Sequence, residues 1–215
     1  MPVIHLGDKA LANSSQTYRL FSTSKFRIDR GTILRADELK DRQYRRFKFS
    51  DDGVSPRVFL GTENGVHWVT GDEHNEVGHI SEEPVNRNMM MEKRMRKLET
   101  ADKEIPIEEK MNVFGDTDSD NTVISWGSPK GAILEAMERL AQEGFKINFL
   151  QVRMPHPLPE KYIAGVLGKA QTKIIVEMNY SGQLAGIIQE KTGIGMDYFV
   201  LKWNGRPMSA DEVYQ

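Results

Sequence analysis

The sequence of 215 residues predicts an α/β protein whose carboxyl-terminal part forms an open, mostly parallel sheet with helices on both faces. Two observations carry this prediction. Apolar runs alternate with amphipathic segments from residue 122 onward, and the starts of the runs recur about every 25 residues, the size of a compact βα unit. The runs are rich in β-branched and aromatic residues, which is typical of buried strands. They are Thr122–Trp126, Lys146–Val152, Lys173–Met178 and Asp197–Trp203.

The segments between these runs have the helical period. In the first of them the apolar residues that share one helix face are Ile133, Ala136, Met137, Leu140 and Ala141. The segments Ile163–Ala170 and Leu184–Ile188 repeat the pattern more briefly. Ser128, followed by a proline, is expected to cap the first helix, and Gly144 and Gly193 stand where helices end. We therefore expect residues 121–215 to fold as an α/β domain on their own.

The first 120 residues are less regular. Pro2–Leu6 has the pattern of a buried strand and Ala10–Phe21 that of a helix. We interpret residues 1–22 as the remnant βα unit of a preceding domain, because a buried parallel strand needs neighbours; the alternative is an edge strand of the later sheet. Short strands are predicted within Phe26–Leu60 and at Gly65–Thr70, so residues 23–120 are expected to form a β-rich, irregular connecting region.

A charged helix is predicted within that region, at Asn88–Lys103. Met91, Met95 and Leu98 form its apolar stripe, between acidic and basic side chains of nearly equal number. Ordinary core packing of this stripe and an adaptable surface for a partner are both open.

Composition excludes several classes of function. Lys and Arg number 29 against 31 Asp and Glu, a formal net charge of −2, which argues against a nucleic-acid or membrane-surface binder. The sequence has no cysteine, so this chain alone forms no disulfide and binds no Fe–S cluster. It also lacks a membrane-spanning apolar run and a signal-peptide pattern, and a cytoplasmic location is expected.

One candidate anion-binding turn follows the first of the regular strands. It comprises Gly127, Ser128, Lys130 and Gly131. Free backbone N–H groups at a helix start favour an anion, and Lys130 adds a positive charge. An ordinary capped turn is the alternative.

Two further loops combine residues suited to recognition. In Ser55-Pro56-Arg57, a proline stiffens a turn that presents an arginine suited to a carboxylate or phosphate. The other loop, residues 71–78, contains Gly71, Glu73, His74, Asn75 and Glu76. No metal site is predicted, because His74 and His79 lack the spacing of helical ligand pairs. We expect both loops at a subunit contact or an active-site mouth, where partners would satisfy their charges; plain surface turns are the alternative.

A series of motifs carries a resemblance to a known family. In order, they are GVSPR (Gly53–Arg57), VTGDEHNEVG (Val69–Gly78), MMMEKRMRKL (Met89–Leu98), ISWGSPKG (Ile124–Gly131), VEMNYSGQLA (Val176–Ala185) and WNGRP (Trp203–Pro207). The sequence resembles the carboxyl-terminal half of the alpha subunit of 2-oxoacid:ferredoxin oxidoreductases over nearly its whole length. The opening PVIHLGDKALANS resembles the end of the preceding thiamine-type domain. The chain departs from the family pattern at Asn75, where an aspartate is common.

The resemblance implies a fold and an activity. Residues 121–215 would be similar to the carboxyl-terminal domain of transketolase, which packs subunits together. The family decarboxylates a 2-oxoacid on thiamine diphosphate, transfers the acyl group to coenzyme A and passes electrons through Fe–S clusters to ferredoxin. The implied partners are the thiamine-binding beta subunit, gamma and delta subunits, ferredoxin and coenzyme A.

The resemblance also implies what this chain leaves to others. The Tyr-Pro-Ile-Thr-Pro segment and the activating glutamate belong to the preceding domain, and the Gly-Asp-Gly motif for Mg²⁺ and diphosphate belongs to the beta subunit. We therefore expect no catalytic residue and no bound cofactor in this chain alone, and a role in subunit contacts and in walls of the substrate or coenzyme A channel. A free-standing anion- or nucleotide-binding module and a purely structural assembly domain are the alternatives.

Overall fold

The computed structural model describes residues 3–25, 27–40 and 42–215, and these residues form two units. Unit 1 comprises Thr17–Lys103, and unit 2 comprises Val3–Gln16 together with Glu104–Gln215. The helices are α1 (Lys9–Asn13), α2 (Pro84–Glu104), α3 (Ile107–Lys110), α4 (Lys130–Gln142), α5 (Glu160–Leu167), α6 (Gln183–Thr192) and α7 (Ala210–Tyr214). The strands are β1 (Met111–Gly115), β2 (Asn121–Ser125), β3 (Asn148–Val152), β4 (Thr172–Glu177) and β5 (Tyr198–Leu201). Short 3₁₀ turns occur at Thr23–Lys25 and Ala36–Leu39.

Unit 2 is built on one open sheet with the strand order β1-β3-β2-β4-β5. The four strands that the sequence predicts, β2 to β5, are parallel, which confirms the predicted fold class. β1 is an additional edge strand, antiparallel to β3, and sequence analysis did not assign it. Because β3 and β4 lie on either side of β2, the chain changes direction of winding between β2 and β4, and their carboxyl ends border a crevice.

Alternate residues of the central strands build two apolar layers. One face of the sheet packs on α5 and α6 through Ile124, Leu150 and Ile175, and the other packs on α4 through Val123, Phe149 and Val176. All six side chains are buried. This arrangement confirms the prediction of helices on both faces of the sheet. Strands that are buried on both faces are apolar at successive positions, and this is the pattern on which the prediction was based.

Two of the predicted helix ends are confirmed and one helix start is wrong. Gly193 ends α6 with a φ of 74°, and Gly144, with a φ of 90°, follows the end of α4. Ser128 does not cap α4, because the helix begins one residue later than expected and Pro129 occupies the cap position. The Ser128 hydroxyl instead donates to Met178 Sδ at 3.2 Å.

The predicted strand at Pro2–Leu6 is wrong for the residues that the structure describes. Val3 and Ile4 are 87% and 83% exposed and belong to no strand; Pro2 lies outside the described residues. The predicted helix at Ala10–Phe21 is also much shorter, since α1 ends at Asn13. Asp8 caps α1 by accepting a hydrogen bond from the Leu11 amide at 3.0 Å. An apolar run indicates burial only when a second surface is present to cover it.

The predicted strands at Phe26–Leu60 and Gly65–Thr70 are also wrong. Between residues 27 and 83, leaving out Asp41, the structure has two isolated bridges, Ile33 with Arg57 and His74 with Ile80, and no strand. Phe26 lies outside the described residues. The turns that follow every few residues keep each extended run too short to pair.

The predicted charged helix is confirmed as α2, but a different face of it is buried. Met90, Lys93 and Ala101 are buried, whereas Met91 and Met95 of the predicted stripe are 39% and 51% exposed. The loops of unit 1 cover the side of α2 that carries Lys93, so the Lys93 ammonium lies among buried residues. Periodicity therefore predicted the helix and missed its buried face.

Over the described ranges, no helix has both the length and the apolar character that crossing a bilayer requires.

We expect residues 104–215 to unfold in one cooperative transition when expressed alone, and residues 122–215 to melt at least about 5 °C lower. The longer segment keeps β1, which pairs with β3 along its whole length and carries the buried Met111. Thermal denaturation followed by circular dichroism measures the melting temperatures of the two segments. Equal melting temperatures would show that β1 adds nothing to the domain.

Candidate functional site

Helix α2 is the element to which both candidate loops of unit 1 are attached. The ammonium of Lys93, on its buried face, donates to the Phe47 carbonyl at 2.8 Å and to Ser55 Oγ at 2.5 Å. Ser55 Oγ in turn donates to the Lys48 carbonyl at 2.9 Å. A buried ammonium with two oxygen acceptors fixes the segments that supply them, since moving either segment leaves a charged donor unpaired.

The loop Gly53–Arg57 also approaches the backbone of α2 closely. A Cβ atom placed on Gly53 would lie 2.6 Å from the Lys93 carbonyl oxygen and 2.7 Å from the Lys97 amide nitrogen. The φ of Gly53 is 75°, in the region that favours glycine. Both features explain the glycine at the start of this loop.

Glu73, in the other loop, is the most strongly paired carboxylate of unit 1. Its two oxygens accept from the Arg94 guanidinium at 2.7 and 3.0 Å, and Arg87 donates to the same carboxylate. These hydrogen bonds, the one from Arg94 first, hold the pKa of Glu73 well below its ordinary value of 4.5. Both arginines lie on α2, so the loop is joined to the helix by a bidentate, charge-assisted contact.

The remaining predicted residues of this loop also find partners within unit 1. Glu76 accepts from Arg45 at 2.8 Å and from the Phe49 amide at 2.9 Å. Asn75 Oδ1 accepts from the backbone amides of residues 77 and 79, a turn-forming role that a carboxylate oxygen would fill equally well. The His74 ring packs 4.0 Å from that of Phe47 and bonds through Nδ1 to the Asp72 carbonyl.

The two glycines of this loop differ in what they require. A Cβ on Gly78 would clash with the Trp68 carbonyl, so only glycine fits there, whereas Gly71 has open space around it. The expectation that partners must satisfy the charges of Glu73 and Glu76 is wrong in its physical premise, because Arg45, Arg87 and Arg94 of the same unit already do so. That the loop lies at a subunit contact stays a prediction.

Arg57 is held locally. Its guanidinium donates to the Arg30 carbonyl, while its backbone pairs with Thr32 and Leu34. Pro56 is fixed from the other side, because the Tyr44 hydroxyl donates to its carbonyl at 3.0 Å. Arg57 is exposed, so the other N–H donors of its guanidinium are open to solvent or a partner.

Lys93 has the most unusual environment of the basic residues on α2. Burial lowers its pKa to about 8, and the positive charges of Lys97, Arg46 and Arg94 act in the same direction. The carboxylate of Glu76 acts in the opposite direction but does not offset them, so Lys93 lies in a net positive surrounding. Folding therefore favours the neutral amine, and this group adds stability as the pH rises from about 8 towards its ordinary 10.5.

The candidate turn Gly127–Gly131 of unit 2 lies at the crevice between β2 and β4. Lys130 Nζ lies 4.8 Å from the centre of the Phe114 ring, a cation–π distance. Burial raises the pKa of Asp8, but the nearby Ser128 side chain and the backbone amides of residues 10 and 11 outweigh this effect and leave the pKa lowered. A carboxylate of unit 2 itself thus lies against the turn that was predicted to hold an anion.

Glu177 is the residue of this crevice that sequence analysis missed. It ends β4 and is completely buried. Its donors are the Trp126 indole at 3.1 Å, the Asn179 amide group at 2.7 Å, and the backbone amides of Leu184 and Ala185 at 3.0 and 3.1 Å. The last two open α6, so Glu177 compensates the positive end of that helix. An acidic residue that ends an apolar strand shortly before a helix is the signal that could have revealed it.

The described residues contain no group of three or more side chains suited to hold a metal ion. The loops Gly53–Arg57 and 71–78 meet on α2 in unit 1, and the turn Gly127–Gly131 belongs to unit 2. This fold and these contacts define an α/β protein in which charged residues hold loops and helix ends in position.

Comparison with known proteins gives the family. The family model for the pyruvate:ferredoxin oxidoreductase core domain II matches residues 119–213. The 2-oxoacid:ferredoxin oxidoreductase subunit alpha of Saccharolobus solfataricus is 48% identical over 99% of this chain and 33% of its own length. Subunit alpha of 2-oxoacid:ferredoxin oxidoreductase 1 of Sulfurisphaera tokodaii is 44% identical over the same shares.

A solved structure is similar over most of the chain. It is a 2-oxoglutarate:ferredoxin oxidoreductase from Magnetococcus marinus with 2-oxoglutarate, coenzyme A and succinyl-CoA bound. The TM-score is 0.79 at 27% identity, and the match covers 90% of this chain and 32% of that one. The chain belongs to the family of 2-oxoacid:ferredoxin oxidoreductase alpha subunits and spans about a third of the length of the curated relatives it matches.

We expect Gly53→Ala to destabilise unit 1 by about 1–3 kcal/mol more than Gly61→Ala. Both glycines have positive φ, 75° and 88°, so both variants carry the backbone penalty. Gly61 has open space around it, whereas a methyl group on Gly53 would collide with α2. Urea denaturation gives the two free energies of unfolding, and equal losses would mean that the close approach to α2 carries no energy.

Glu73→Gln is expected to lower the free energy of unfolding by about 1.5–3 kcal/mol at pH 7. It should also make that free energy depend less steeply on pH on the acid side. The folded-state pKa of Glu73 lies below 4.5, so its contribution is present above that pH and is lost as the pH falls through the folded-state value. Glu82→Gln, on an exposed residue, is the control. Chemical denaturation at a series of pH values measures the free energy of unfolding of each variant. If its dependence on pH is unchanged in Glu73→Gln, the contact with Arg94 has no stabilising role.

Proposed function

We propose that this chain forms part of a thiamine-dependent 2-oxoacid:ferredoxin oxidoreductase, in which it builds subunit contacts and walls of the channel for the 2-oxoacid or coenzyme A. The observation that supports it best is the 48% identity that extends over 99% of the chain, so that both units are matched. The reaction of the whole enzyme would be the oxidative decarboxylation of a 2-oxoacid to an acyl-coenzyme A, with reduction of ferredoxin.

The residues of this chain do not fit the cofactors of that reaction. Fe–S clusters are held chiefly by cysteine thiolates, and the sequence has none. Most of the carboxylates that could serve Mg²⁺ in the two candidate regions are already committed, Glu73 to arginines and Glu177 to four N–H donors. The proposal therefore assigns thiamine diphosphate, Mg²⁺ and the clusters to other parts of the complex, including a beta subunit and, where present, gamma and delta subunits.

The contribution of this chain would be geometric. In unit 1, the loops Gly53–Arg57 and 71–78 are fixed to α2 by Lys93, Arg87 and Arg94, so their outer surfaces keep one shape. Large apolar side chains near these loops are exposed, among them Val66 at 93% and Trp68 at 66%. Exposed apolar residues beside a rigid, charged loop are typical of a surface that another chain covers.

We expect the isolated chain to reduce no viologen dye with a 2-oxoacid, coenzyme A, thiamine diphosphate and Mg²⁺, and the complex reconstituted with its other subunits to do so. In that complex, Arg57→Ala and His74→Ala should lower either assembly affinity or kcat/KM by at least about tenfold, because each removes a fixed contact of these loops.

The exposed Arg27→Ala serves as the control for an arginine lost elsewhere in unit 1. Turnover by the pure chain would contradict the assignment of the cofactors to other parts of the complex. If both loop variants assemble and react like the unaltered complex, the loops are ordinary surface turns.

A further inference from the structure

A concave surface of unit 1 borders the loop Gly53–Arg57 at Pro56, and the function proposed above does not account for it. It is a cavity of about 960 Å³, within the range of small-molecule sites. Its floor includes Leu39 and Tyr44, both buried, and Pro56 lies in its wall. The hydrogen bond from Tyr44 to Pro56 and the bridge between residues 33 and 57 connect the walls, so the cavity does not depend on a mobile loop.

The positive charges of this cavity come from one short segment. In the sequence, residues 40–48 read KDRQYRRFK, and the basic residues that line the cavity are Lys40, Arg42, Arg45 and Lys48. Arg45 is paired with Glu76. Lys40, Arg42 and Lys48 form no ion pair with any residue that the structure describes; Asp41 lies outside those residues. Three cations that have no carboxylate partner among the described residues attract an anion to one concave surface.

Two acidic residues, Asp37 and Glu38, also line the cavity, and they belong to the short 3₁₀ turn at one side of it. Glu38 is engaged locally, because its carboxylate accepts a hydrogen bond from the Arg35 amide at 2.8 Å. The acidic side therefore lies on one element and the basic side on another. Such a division orients a ligand that has a strongly anionic end.

The electrostatic environment of the buried Tyr44 phenol agrees with the positive charge on this side of the cavity. Burial raises the pKa of Tyr44, and the groups that oppose this effect include the positive charges of Arg46 and Arg57. The floor of the cavity is therefore close to two further cations besides those in its lining.

We propose that the cavity between the turn Ala36–Leu39 and residues 42–48 binds a phosphate-bearing small molecule, with Arg42 and Lys48 as its main phosphate contacts. A guanidinium offers the bidentate hydrogen bonds that phosphate oxygens accept, and a lysine ammonium adds a point charge. A concave surface of this size favours a small molecule over a protein partner, whose interface is typically flatter and larger.

The test is a titration of the full chain with inorganic pyrophosphate, and separately with ADP, by isothermal titration calorimetry at low ionic strength. Saturable binding of either is expected, and the double variant Arg42→Gln/Lys48→Gln should weaken it at least about tenfold. Arg27→Gln/Lys103→Gln, the same charge change on exposed residues of unit 1 outside the cavity, should change it less than about twofold. Circular dichroism confirms that both variants remain folded.

Binding of pyrophosphate and ADP alike would identify a general phosphate site, and binding of ADP alone a nucleotide site; both support the proposal. No saturable binding, equal weakening in the two double variants, or equally tight binding of malonate would overturn it. Tighter binding of an unphosphorylated acidic peptide would also overturn it and would indicate a protein interface. Because no activity is measured, the result is independent of the oxidoreductase function proposed above.

Discussion

The buried ammonium of Lys93 is the contact on which unit 1 most depends. Unit 1 has no sheet among its described residues, so its loops have no ladder of backbone hydrogen bonds to hold them. Lys93 supplies a substitute by joining the Phe47 carbonyl and Ser55 Oγ to one point on α2. A buried charge without acceptors is costly, and this cost favours the arrangement of the loops that supplies acceptors over others. Glu73 and Arg94 repeat the principle at the next residue of the helix.

Unit 2 depends on a different kind of interaction, and this difference explains how well its fold could be predicted. Its central strands are apolar at successive positions because each is covered on two faces, and its helices bury one stripe. These are local patterns, so periods of two and 3.6 residues identify the elements without knowledge of their partners. The strand β1 was not predicted because two of its five residues, Asn112 and Gly115, are of types uncommon in strands.

The contacts of the candidate loops could not be predicted, because their partners are distant in sequence. Glu73 and Arg94 are 21 residues apart, and Glu76 and Arg45 are 31 apart. From the density of charge in residues 71–78, the sequence predicts that partners at a subunit contact or an active-site mouth satisfy these charges, with plain surface turns as the alternative. The arginines of the same unit do so, and only the folded structure shows which of many arginines they are. The same reason hid the burial of Lys93, since a lysine within a charged helix is usually solvated.

Amide hydrogen exchange in Lys93→Met tests most directly whether this lysine organises unit 1. The variant keeps the length and apolar stem of the side chain and removes its charge. The amides of Phe47 and Phe49, which both donate to Glu76, should exchange at least about tenfold faster than in the unaltered chain. The amide of Ile133, at the start of α4 in unit 2, should keep its rate, and so should all three in the control Lys103→Met. Unchanged exchange at Phe47 and Phe49 would contradict the account, because the loops would then be held without Lys93.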